Sequence, residues 1–76
     1  MTGPELRDTL IREIVKTYGG SGARWRQAVG QIKVYSRATH AHCNWDVRAT
    51  GSPRQIEIVE SAVDAMRTTL PFVEES

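Results

Sequence analysis

Ala41-His42-Cys43-Asn44-Trp45-Asp46-Val47-Arg48-Ala49-Thr50 is the stretch whose reading decides the fold. Ala41, Cys43, Trp45, Val47 and Ala49 occupy every second position, and His42, Asn44, Asp46, Arg48 and Thr50 lie between them. Side chains along a strand alternate between the two faces of a sheet. This spacing therefore predicts a half-buried antiparallel strand with one apolar and one solvated face. Gln31-Ile32-Lys33-Val34-Tyr35-Ser36-Arg37 repeats the alternation with Ile32 and Val34 inward, and Ala38-Thr39-His40 makes the turn between the two strands.

On either side the period changes to that of a helix. Downstream, Ser52-Pro53-Arg54-Gln55 is a helix start: Ser52 caps, Pro53 takes the first helical position, and Gln55 completes the box three residues on. Ile56, Val59, Val63, Met66 and Leu70 follow as an apolar stripe widened by Ala62. Ile58 and Ala65 flank it, which implies contact on more than one side. The helix runs over about 53–69, and Pro71 halts it by excluding helical geometry at Leu70. Pro71-Phe72-Val73 is expected to fold back on the core, and Glu74-Glu75-Ser76 to fray.

Upstream, Leu6, Leu10, Ile11, Ile14, Val15 and Tyr18 form one face of a helix over about 3–18. Thr2 and Glu5 make its capping box, and Gly19-Gly20 closes it before a flexible joint at 19–22. The segment 23–30 fits two periods. Trp25, Ala28 and Val29 suit a short helix, whereas alternation of Ala23, Trp25 and Gln27 with Arg24 and Arg26 suits a strand. An extended reading is preferred, because two strands alone make a poor sheet. The expectation is a small single α+β domain over 1–76 in the order α-β-β(-β)-α, with two helices packed on one face of a short antiparallel sheet.

A chain of 76 residues buries a thin core. Cys43 is its only cysteine, so an internal disulfide cannot reinforce it, and one Cys with two His is a poor basis for a structural zinc site. Tight packing or a homodimer is left. No cofactor is expected. The N-terminus lacks a signal-peptide pattern and no run is apolar enough to span a bilayer, which predicts a cytoplasmic protein without a membrane partner.

The net charge is +1, unevenly distributed. From Lys16 to Arg54 seven cations oppose Asp46 alone, and from Gln55 onward five acids oppose Arg67 alone. A basic middle favours anionic partners or docking against another copy. On the solvated sheet face, Lys33, Tyr35 and Arg37 would lie beside His42, Asn44, Asp46 and Arg48, where cations near an aromatic ring track phosphates and stack bases. The structural alternative is a plain polar face on which Asp46 pairs with Arg48 or Lys33. Arg24-Trp25-Arg26 offers a second binding set, against the alternative of a core tryptophan with outward arginines.

Catalytic signals are weaker. Gly20-Ser21-Gly22 follows a helix and lacks the Lys-Ser/Thr ending of a phosphate loop. His40 and His42 would share a strand face, but Cys43 would point away, leaving Asp46 as a third ligand and no fourth. Cys43 falls among the apolar positions, where a thiolate is not activated. A non-enzymatic domain is expected.

The helix–strands–helix order resembles the double-stranded-RNA-binding domain, which is α-β-β-β-α. That family reads major-groove phosphates with a lysine-rich start to its second helix. Here Pro53-Arg54-Gln55-Ile56-Glu57-Ile58-Val59-Glu60 carries one cation and two acids, so the resemblance is confined to topology. A protein-interaction module or small homodimer ranks first, using the second helix, Trp25 and Phe72. Nucleic-acid or other polyanion binding through Arg24, Trp25, Arg26, Lys33, Tyr35, Arg37, His42 and Arg48 ranks second, and a metal or enzymatic site around His40, His42 and Cys43 is a distant third.

Overall fold

In the computed structural model, which describes residues 1–75, three helices accompany a two-stranded antiparallel sheet. Helix α1 spans Gly3–Tyr18, and both arms of its capping box form: Glu5 N–H donates to the Thr2 hydroxyl at 3.3 Å and Thr2 N–H to the Glu5 carboxylate at 3.0 Å. Gly19, at φ +77°, turns the chain and returns its N–H to Val15 O. Leu6, Leu10, Ile11 and Ile14 are buried as their spacing predicts, but Tyr18 is 46 % exposed.

Helix α2 spans Gly22–Val29, and this corrects the extended reading of 23–30. The helical period won because Trp25, Ala28 and Val29 then bury together on one face, leaving Arg24 and Arg26 outside. The order is thus α-α-β-β-α, and no third strand joins the sheet among the described residues. Helical packing supplies the support a pair of strands lacks in water. Gly3 matters here, since a Cβ at that position would stand 3.2 Å from Val34 Cγ2, so glycine lets α1 approach the sheet.

Strands β1 (Ile32–Val34) and β2 (Trp45–Val47) pair in the register Ile32↔Val47, Lys33↔Asp46 and Val34↔Trp45. They are shorter than the alternating stretches that announce them. Asn44, expected on the solvated face, is fully buried. Helix α3 (Pro53–Thr69) begins with the Ser52/Gln55 capping box intact. It buries Ile58, Val59, Val63 and Met66, while Ile56 is only half-buried.

The core joins the three helices to Trp45 and Val73. Burying Val73 confirms that the tail folds back, and Glu74 N–H donating to Met1 O at 2.8 Å holds a residue expected to fray. Ser76 lies outside the described residues. No helix among the described residues is long and apolar enough to cross a membrane.

Candidate functional site

The basic and aromatic groups singled out in the sequence do not assemble into one surface. Trp25 is 7 % exposed and its indole N–H donates to Gly19 O at 2.8 Å, which closes the α1–α2 joint from inside. Arg26 pairs with Asp8 of α1 at 2.9 Å, and its carbonyl accepts from Arg7 at 3.0 Å. Arg24, on the same helix, borders a separate notch with Gln27, Thr50 and Gln55. The Arg24-Trp25-Arg26 set is therefore divided among three environments.

The sheet side is similarly engaged with itself. Tyr35 and Arg37 lie beyond the end of β1. The Tyr35 ring stacks on His40 at 4.3 Å between centroids, and the Arg37 guanidinium sits 4.1 Å from the centre of Phe72. Asp46 faces Lys33 in the register, yet its ion pair is with Arg67 of α3 rather than with Lys33 or Arg48. Lys33, His42 and Arg48 remain exposed. Base stacking needs a ring face open to a nucleotide, and one face of the Tyr35 ring is taken by His40.

The Asn44 side-chain amide donates to Val73 O at 2.9 Å and Tyr35 O at 3.2 Å, and its carbonyl oxygen accepts from Val73 N–H at 2.8 Å. Asn44 N–H also donates to Pro71 O at 3.1 Å. The amide is a polar rivet that draws the C-terminal tail across the sheet end, placing Phe72 under Arg37. Trp45 adds an indole bond to Leu70 O at 2.8 Å. Cys43 is half-buried and its thiol donates to Trp45 O at 3.4 Å. Among the described residues, no three His, Cys, Asp or Glu side chains gather as a metal would need.

A groove of about 490 Å³ lies elsewhere, between α1 and α3. Ile14, Ala62, Ala65, Met66 and Leu70 give it an apolar lining, with Tyr18 at its border and Glu13 as its one charged side chain. Two of its threonines spend their hydroxyls within their own helices: Thr9 donates to Glu5 O at 3.0 Å and Thr69 to Met66 O at 3.4 Å. Those hydroxyls ask nothing of an occupant. Sequence reasoning missed this groove, although Ala65 beside the α3 stripe and Tyr18 at the end of the α1 stripe were its signals. Comparison with protein-family models, curated proteins and solved structures found no match to this chain.

Proposed function

We propose that this domain is a non-enzymatic protein-interaction module whose docking surface is the α1–α3 groove. The observation that carries the reading is an apolar recess of about 490 Å³ bordered by a large ring left 46 % exposed. Ile14 and Met66 are already buried within the chain, and a protein partner would cover what Ala62, Ala65, Leu70 and Tyr18 leave exposed. A cytoplasmic setting belongs to the same proposal, since a lone thiol suits a reducing compartment.

Polyanion binding is the second reading, and exposed Arg24, Lys33 and Arg48 favour it. Against it, Trp25 is buried, and Tyr35 and Arg37 are engaged within the chain. It predicts affinity for a mixed nucleic-acid pool that falls steeply with salt.

Photo-crosslinking in cells tests the choice. Benzoylphenylalanine is placed at Ala65 or Thr17 in the groove, and at Lys33 or Arg48 outside it. Protein adducts confined to the groove positions are the expected result. Adducts of equal yield at all four positions, or none at the groove, would remove the interaction reading.

A further inference from the structure

We draw no further inference here: the strongest candidate, the notch between the start of α1, β1 and the C-terminal tail, rests on Glu74 and Glu75, the two acids that line it, and nothing in the structure shows what covers it.

Discussion

At the sheet end of this molecule a polar side chain, Asn44, is wholly buried, while on the α1–α3 face a large ring, Tyr18, is left 46 % exposed. The two regions invert the simple rule of polar outside and apolar inside. At the sheet end, every polar group of Asn44 finds a partner within the chain, and neighbouring rings and cations satisfy one another. Burial there carries little penalty, because an amide is costly to desolvate only when its hydrogen bonds go unmade. The helical face has the opposite balance: Thr9 and Thr69 satisfy their hydroxyls within their own helices, while Tyr18 and Ala65 stay exposed. On the proposed reading, the helical face rather than the sheet end is the surface that a partner would cover.

The sharpest way to break that contrast is Asn44→Ala. It strands Val73 N–H, Val73 O and Tyr35 O together and releases the tail, so the expected loss is about 3 kcal/mol. A urea titration gives this as a lower midpoint. A loss below about 1 kcal/mol would mean that water replaces the amide easily and that the tail is not riveted. Trp45→Phe keeps most of the ring but frees Leu70 O from its indole partner. Its expected cost is about 1–1.5 kcal/mol, read in the same titration.

Arg37→Ala tests whether a cation proposed for binding is instead structural. Removing the guanidinium from the Phe72 ring is expected to cost about 0.5–1 kcal/mol of folding stability. A variant of unchanged stability that loses affinity for nucleic acid would return Arg37 to the polyanion reading. On the other side of the comparison, Ala65→Glu changes a position that is already exposed. Folding stability at a concentration where the chain is monomeric is expected to stay within about 0.5 kcal/mol of the unaltered chain. A large loss would show the groove to be closed core rather than open surface.

Legibility followed the range of the interactions. Helices α1 and α3 were readable because caps, stripes and stop signals are local: Thr2 with Glu5, Ser52 with Gln55, and Pro71 after Leu70 each act within a few residues. Helix α2 was not readable as a helix, since its eight residues satisfy both periods. The choice rests on Trp25 reaching Gly19 O and packing into the core, a tertiary event. The strands were found but overextended, because the alternation continues through Asn44 while its burial depends on Val73, 29 residues away. The same distance hid the fate of Arg37, whose ring partner lies on the tail. The groove was only hinted at, since its existence depends on how α1 and α3 are spaced, and Ala65 carries no mark of that by itself.

The smallest effect concerns the two capping boxes, which respond differently to acid. Glu5 holds its carboxylate against Thr2, whose backbone N–H and then hydroxyl lower its pKa below the ordinary glutamate range. Gln55 plays the same part at Ser52 without an ionisable group. A carboxyl whose folded pKa is depressed stabilises the fold above its unfolded pKa and loses that contribution as pH falls through the folded value. Acid titration followed by amide chemical shifts should therefore move Thr2 and Glu5 together, below the ordinary glutamate range, while Ser52 and Gln55 hold still. Because α1 begins beside Met1, whose carbonyl binds Glu74, the same titration should loosen the tail end before the groove. Glu5→Gln should abolish the movement at Thr2 while preserving a neutral version of the box. If the Thr2 amide still titrates in that variant, the Glu5 carboxylate is not what governs this end.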